Sequence, residues 1–344
     1  MLNLYDLSFS ELEHVLAAEK QPKYRCLQIW QWLWQKGCRD FSQMTNISKE
    51  LRNSLASRFN LELPQIDTLR QSQDGTTKFL LRLADNSLVE SVLIPSADHY
   101  TLCISTQVGC SMACSFCSTG QMGLTRNLSS GEILSQVLLA REHLVTCKSQ
   151  LGLRNLVLMG MGEPLLNWEQ VHKSLQVLND PQAIGLSHRR ITLSTVGIPG
   201  KIEEVGNSGL ASLALSLHSP NQELRSKLMP RAARFQLQDL LRSLQNYPLR
   251  PRQRITIEYI LLGGVNDSLK QAKELVSLLS SLRCKVNLIA FNPGEGINYQ
   301  APEQKQILAF EEYLWQKGFT VTLRKSKGQD IGAACGQLKS QIKN

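Results

Sequence analysis

The sequence predicts an α/β protein built on a partial barrel of about six βα units, preceded by a small helical domain and a short β-hairpin connection. Three observations carry this. Short β-branched runs alternate with helical stretches from about residue 100 to 325, a strand-rich pair of runs precedes them, and the first 65 residues have helical spacing throughout. The chain has 344 residues, 42% apolar and 19% charged, which is enough to bury a core and excludes disorder as its main state.

From the N-terminus, SFSELEHVLA carries a Ser N-cap with Glu three residues on, YRCLQIWQWLWQKG places Leu27, Ile29, Trp30, Trp32 and Leu33 before a stopping Gly37, and NISKELRNSLASRF resumes the helical period. Residues 1–65 are therefore expected as a helical accessory domain. Its Lys20, Lys23, Arg25 and Lys36 suit contact with a polyanion, and its Trp30, Trp32 and Trp34 suit its core. Residues 66–98 read as a hairpin linker with its turn at Asp85-Asn86. Strands follow at 101–107, 155–160, 190–195, 212–218, 254–262, 285–291 and 319–324. Helices are expected in SSGEILSQVLLAREHL, WEQVHKSLQVLN, FQLQDLLRSLQ and SLKQAKELVSLLSSL. Alternation of this kind implies a parallel sheet over 99–325, with function at the C-terminal ends of its strands. Residues 326–344, rich in small and basic residues, form a tail expected over the core or mobile.

No apolar run approaches the roughly 20 residues of a membrane span, and MLNLYDLSFSELEHVL lacks the basic start and apolar stretch of a signal peptide. The expectation is a cytoplasmic protein with no membrane partner. Nine cysteines are then packing, metal or redox residues rather than a disulfide scaffold. Net charge is +9, and residues 189–254 hold eleven Arg or Lys against four acids, a surplus of 7. That run favours a polyanion, although a solvated basic face is the plainer explanation for any one of these side chains.

After the first core strand stands GCSMACSFCSTG, with Cys110, Cys114 and Cys117 in C-x3-C-x2-C spacing. Structural zinc would show a second Cys or His pair nearby, and none follows. A 4Fe-4S cluster held by three thiolates, with its fourth iron open, fits better. In MGMGEP, Gly160 and Gly162 allow close backbone approach to a ligand at a strand end and Glu163 offers a carboxylate; a strand-ending turn is the plain alternative. Ser194, Ser216, Leu217, His218 and Asn292 close three further strands. Taken alone, Cys103 is a small buried hydrophobe, Cys335 in AACGQL an accessible tail thiol, and Glu90 a solvated strand residue.

The cysteine loop resembles that of the radical S-adenosylmethionine (SAM) enzymes. More closely, YRCLQIWQWLW, MTNISKEL, ESVLIP, CISTQVGCSMACSFCSTG, LVLMGMGEPLLN, HRRITLSTVG, SLALSLHSPN, TIEYILLGGVND, KVNLIAFNP and GQDIGAACGQL, in that order, resemble the RlmN family of RNA adenine methyltransferases. The resemblance implies a radical SAM barrel, one 4Fe-4S cluster on Cys110, Cys114 and Cys117, and SAM held by Gly162, Glu163, Ser194, Ser216, Leu217, His218 and Asn292. FNPGEGINYQ departs from the family's usual continuation after Asn292.

Two SAM molecules per turnover are implied. One methylates Cys335; the other yields a 5′-deoxyadenosyl radical that takes hydrogen from the S-methyl group. The carbon radical adds to carbon 2 of adenine, Glu90 accepts a proton, and Cys103 resolves the adduct through a transient disulfide with Cys335. The implied substrates are 23S rRNA, in its peptidyl transferase region, and tRNA at the adenosine beside the anticodon. A reduced ferredoxin or flavodoxin-type donor supplies electrons, and the enzyme is expected as a monomer. The competing readings are a Cfr-type carbon-8 methyltransferase and a non-methylating radical SAM enzyme. Cys26, Cys38, Cys147 and Cys284 are left to packing.

Overall fold

The computed structural model describes residues 1–294 and 296–339. Its centre is a ten-stranded sheet. In chain order the strands are β1 (Gln65–Gln71), β2 (Thr77–Arg82), β3 (Leu88–Pro95), β4 (Tyr100–Cys103), β5 (Leu153–Leu158), β6 (Ile191–Thr195), β7 (Ser212–Ser216), β8 (Ile255–Leu261), β9 (Cys284–Ala290) and β10 (Val321–Arg324). From β4 to β10 neighbours pair in parallel, in sequence order, and β10 and β1 are the two edges, so the barrel is open. Apolar runs such as ITIEYIL suit strands covered on both faces.

Helices cross over between successive parallel strands: α4 (Ser130–Thr146), α5 (Trp168–Asn179), α6 (Lys201–Ser208), α7 (Gln222–Leu228) with α8 (Leu237–Gln245), α9 (Leu269–Leu279) and α10 (Gln304–Gln316). A capping box starts α4, Ser129 Oγ accepting from Glu132 N while the Glu132 carboxylate accepts from Ser129 N. The partial barrel of six βα units expected from the sequence is what forms. Three of its helices, α6, α7 and α10, were not among those read from the sequence.

The segment expected as a hairpin linker over 66–98 is no linker. β1, β2 and β3 are antiparallel strands of the same sheet, β3 pairing with β4 from Val92↔Cys103 to Pro95↔Tyr100. β1 (QIDTLRQ), exposed along both faces, was missed because its two apolar residues, Ile66 and Leu69, fall three apart and show no alternation. The first core strand also ends early, at Cys103 rather than 107. Residues 107–109 turn away to pair with 124–127, and this two-stranded ribbon carries the cysteine loop at its tip. Gly109 has φ +77, and a Cβ there would lie 2.0 Å from Gly123 O, so the ribbon closes only on glycine.

The N-terminal helices, α1 (Phe9–Ala18), α2 (Tyr24–Trp34) and α3 (Lys49–Arg58), pack around buried Trp30 and Trp34. Trp32 is half-buried, with Lys36 Nζ 3.6 Å from its ring centre. This module docks on the barrel: Trp30 Nε1 donates to Asp180 (2.8 Å), Lys173 pairs with Glu11 (2.8 Å), and Asp6 accepts from Gly131 N (2.9 Å) at the start of α4. Among the described residues no helix is long and apolar enough to cross a membrane. The tail lies over the barrel as far as Lys339; the rest of the segment expected to 344 is outside the described residues.

Candidate active site

The loop from Cys110 to Cys117 is fixed from both sides. Ser115 N donates to Leu228 O at the end of α7 (2.9 Å), and Ser115 Oγ meets Tyr299 Oη at 2.8 Å. Cys117 caps a short helix, Ser118–Gln121, on which the tail rests: Ser118 N donates to Gly336 O (2.8 Å) and Thr119 Oγ1 to Leu338 O (2.7 Å).

All three cysteines line one cavity of about 150 Å³, together with Gly160, Gly162, Glu163, Ser194, Ser216, His218, Glu258 and Cys335. Burial pushes the Cys110 thiol up to about 12 and raises Cys114 and Cys117 as well. Thiolates there need a cation to hold them. Among the described residues no three His, Cys, Asp or Glu side chains sit close enough to share one ion. A 4Fe-4S cluster, three of whose irons would each take one thiolate, suits this donor set.

Glu163 is 2% exposed and heavily committed. Its Oε1 accepts from Thr195 Oγ1 (2.7 Å) and Leu165 N (3.0 Å), and its Oε2 from Val196 N (2.9 Å). Burial raises its carboxyl against the lowering by these bonds. One lone-pair site remains, on Oε2, for a ligand ammonium. The glycines before it serve a purpose the sequence did not suggest. A Cβ at Gly160 would lie 2.7 Å from Ile104 O, and one at Gly162 2.6 Å from Gln107, so both clear the chain running from β4 into the cysteine ribbon as well as lining the cavity.

His218 is buried and accepts from Ile260 N through Nδ1 (3.0 Å); burial, then Arg225, pulls it down to about 3, so the ring is neutral. Ser194 Oγ lies 3.2 Å from both Ser216 Oγ and Glu258 Oε2. Leu217 is not among the residues lining this cavity: its side chain packs in the core, its N donates to Glu258 O and its carbonyl accepts from Ser219 N. Asn292 also lies outside this cavity, on the neighbouring cleft, where Oδ1 accepts from Gln329 while buried Nδ2 has no partner among the described residues.

That cleft, about 630 Å³, contains Cys103 and Cys335 and adjoins the first cavity, the two sharing Cys117, Met159, Gly160, Glu258 and Cys335. Burial, then Cys335, pushes Cys103 up to about 12. The Arg324 guanidinium faces the same groups and is held above its ordinary value by Cys335, Glu258 and Cys103. Glu258 and Arg324 went unread in the sequence; the signal for Glu258 was a lone acid within the apolar run ITIEYILL.

The cleft's cations are Arg189, Arg190, Lys285, Arg324, Lys325 and Lys327. Only two belong to the basic stretch 189–254. In that stretch Lys201, Lys227 and Arg242 pair with acids on their own helices. Arg225, fully buried, donates to Ala232, Phe235 and Val196 carbonyls. Folding thus gathers a positive surface from separate strands and leaves most of the charge-rich stretch elsewhere.

Glu90 is not a solvated residue. It is 3% exposed, paired with Lys78 at 2.9 Å, and lines a separate cavity of about 410 Å³ across the tail from Cys103 and Cys335. Cys26, Cys38 and Cys284 are buried as expected, but Cys147, at the surface end of α4, is exposed.

The family model described as "Ribosomal RNA large subunit methyltransferase N-terminal domain" matches residues 2–61, and that of the radical SAM superfamily matches 104–276. The chain is 55% identical over 347 residues to a dual-specificity RNA methyltransferase RlmN of Nitratidesulfovibrio vulgaris, covering 99% of this chain and 95% of that one. It is 52% identical to the RlmN of Solidesulfovibrio magneticus, covering 99% and 97%. A crystal structure of a radical SAM methyltransferase from Sphaerobacter thermophilus superposes with a TM-score of 0.93 at 40% identity, covering 99% of this chain and all of that one. With its cysteine loop, its open barrel and this likeness along its whole length, the chain belongs to the RlmN family of radical SAM methyltransferases.

Proposed function

We propose that this chain methylates carbon 2 of adenosine in 23S rRNA and in tRNA beside the anticodon, through S-methylated Cys335 and a transient Cys103–Cys335 disulfide. The observation that carries the reading is the position of Cys335, at the wall between a cavity containing three cysteines and a basic cleft containing a second thiol.

Carbon 2 of adenine has no nucleophilic lone pair, so direct displacement on SAM has no attacking group there. Cys335 solves this by carrying the methyl. Its sulfur displaces the methyl from one SAM, releasing S-adenosylhomocysteine. A 4Fe-4S cluster on Cys110, Cys114 and Cys117 with a second SAM supplies the one-electron chemistry that removes a hydrogen atom from the S-methyl group. Glu163, Ser194, Ser216 and His218 line the space available to SAM, and the unpartnered Asn292 Nδ2 offers a donor from the adjoining cleft.

Cations of the cleft hold RNA phosphates while the target base leaves its stack to reach Cys335. The S-methylene carbon bonds to carbon 2, the unpaired electron of that adduct would pass back to the cluster, and Glu90 accepts the proton from carbon 2, which requires the tail to move from its position between Glu90 and the cleft. Cys103 Sγ, giving up its proton, then bonds to Cys335 Sγ as the bond from Cys335 sulfur to the methyl-derived carbon breaks and that carbon takes up a proton to become the methyl group; an external reductant, a ferredoxin or flavodoxin type, restores both thiols and primes the cluster.

The test is reconstituted enzyme with unmodified 23S rRNA, SAM and reductant, followed by nucleoside mass spectrometry. 2-Methyladenosine is expected; 8-methyladenosine alone, or no methylated base, overturns the reading. Cys103→Ala is expected to leave RNA covalently attached to Cys335.

A further inference from the structure

The segment carrying Cys335 is tied at both ends to one ion pair. Lys78 Nζ lies 2.9 Å from Glu90 Oε1 and donates to Gly332 O at 3.1 Å, three residues before Cys335. Glu90 Oε2 accepts from Lys339 N at 2.8 Å, four residues after it. Both partners are nearly buried, the Lys78 and Glu90 side chains being 12% and 4% exposed. They stand side by side on the sheet: β2 carries Lys78, β3 carries Glu90, and the register pairs Leu80 with Glu90. Further out, the β1–β2 turn holds the start of the tail, Ser72 Oγ and Gln73 N donating to Asp330 and Asp74 accepting from Gly328 N.

We propose that the Lys78–Glu90 pair is the clamp that positions Cys335 for methylation, with Lys78 a positioning residue of the reaction. The tail has no regular secondary structure from Gly332 to Lys339, and Gly332 and Gly336 take left-handed φ of +64 and +84. A turn closed by Gln337 N donating to Ala334 O (3.0 Å) shapes the backbone around Cys335, and Gln337 Nε2 ties that turn to Pro293 O (2.7 Å). The bonds at the two ends of the segment, with the contacts of Gly336 and Leu338 to the short helix after Cys117, set how the turn lies against the two cavities. Removing the ammonium frees the Gly332 carbonyl directly and leaves Glu90 buried without its counter-charge, which loosens the Lys339 end as well. Glu90 thereby acts before any proton reaches it, holding the methyl carrier in place.

This rests on Cys335 being the methyl carrier, and the experiment separates the two ideas. Holoenzyme, Lys78→Met and Lys78→Arg are incubated with SAM, and S-methylation of Cys335 is timed by peptide mass spectrometry without RNA. Lys78→Met is expected to methylate Cys335 about ten- to a hundredfold more slowly, the cost of misplacing a reacting group by about 1 Å. Lys78→Arg, which keeps the charge and donors, recovers most of the rate. Iron content and Tm are measured alongside. Lys78→Met methylating Cys335 at the unmodified rate overturns the clamp, as does an equal loss in Lys78→Met and Lys78→Arg at unchanged Tm. No methylation of Cys335 in the unmodified enzyme overturns the methyl-carrier reading instead.

Discussion

If the cleft is where RNA lies, its cations decide how binding responds to salt. Of the six, Arg324 is turned to the thiols and Lys327 lies 4.0 Å from Asp74, leaving Arg189, Arg190, Lys285 and Lys325. These four have no carboxylate at ion-pair distance among the described residues. Each phosphate neutralised contributes roughly −0.7 to −0.9 to the slope of log affinity against log salt, so four give about −3. Between 50 and 200 mM salt, affinity for an rRNA fragment should then fall by about 60-fold. Lys285→Ala with Lys325→Ala removes two contacts and should bring the slope to about −1.5. Lys227→Ala with Arg242→Ala, both already paired on their helices, should leave it near −3. Fluorescence anisotropy across a salt series measures all three. A slope untouched by the first pair and lowered by the second would show that RNA follows the charge-rich stretch on the helices instead of the cleft.

Two further outcomes follow from buried groups. Arg225→Met leaves the Ala232, Phe235 and Val196 carbonyls without their donor and should cost about 3–5 kcal/mol of stability, read as a fall in Tm of about 4–7 °C, with the salt slope of any folded fraction unchanged. His218 stays neutral in the folded chain down to about 3, whereas an unfolded histidine takes a proton near 6.5. Its contribution to stability is therefore full above pH 6.5 and declines as pH falls towards 3, by about 1.4 kcal/mol per unit. His218→Asn, which tolerates the φ of +57 and can still accept from Ile260 N, should flatten the acid side of the stability profile by about that slope in urea titrations.

The barrel was legible because periodicity reports burial: seven apolar runs became seven parallel strands, each within a few residues of its expected bounds. What periodicity misses is structure with no buried face. β1 is exposed on both faces at an edge, and Ile66 and Leu69, three apart, give QIDTLRQ no strand period. The cysteine loop was legible because its spacing is local. The cleft was not, since Arg189, Lys285 and Lys325 come from three distant segments that only the parallel sheet brings together. Linear charge density pointed at 189–254, where α6, α7 and α8 supply their own counter-charges at i+3 and i+4 spacing. The side chain of Leu217 shows a related limit. Leu217 closes a strand beside Ser216 and His218, but alternation turns its side chain into the core.

The two thiols differ in how the fold presents them, and the proposed reaction asks for that difference. Cys103 sits on β4, paired with Val92 on one side and Val157 on the other, so its side chain has one direction, into the cleft. A resolving thiol needs only that. A methyl carrier must accept its methyl in the chamber of the three cysteines and deliver it in the chamber open to RNA. A strand position would serve one of them and turn its back on the other. Cys335 instead stands between glycines at the boundary both chambers share, on a segment held by a few polar bonds that can be broken and remade. The same bonds lie between Glu90 and the cleft. Release of the tail from Glu90 at its Lys339 end would free one carboxylate oxygen, Oε2, while Lys78 still holds Oε1 and the Gly332 end, so under the proposed reaction the same break would loosen the carrier and open the proton acceptor.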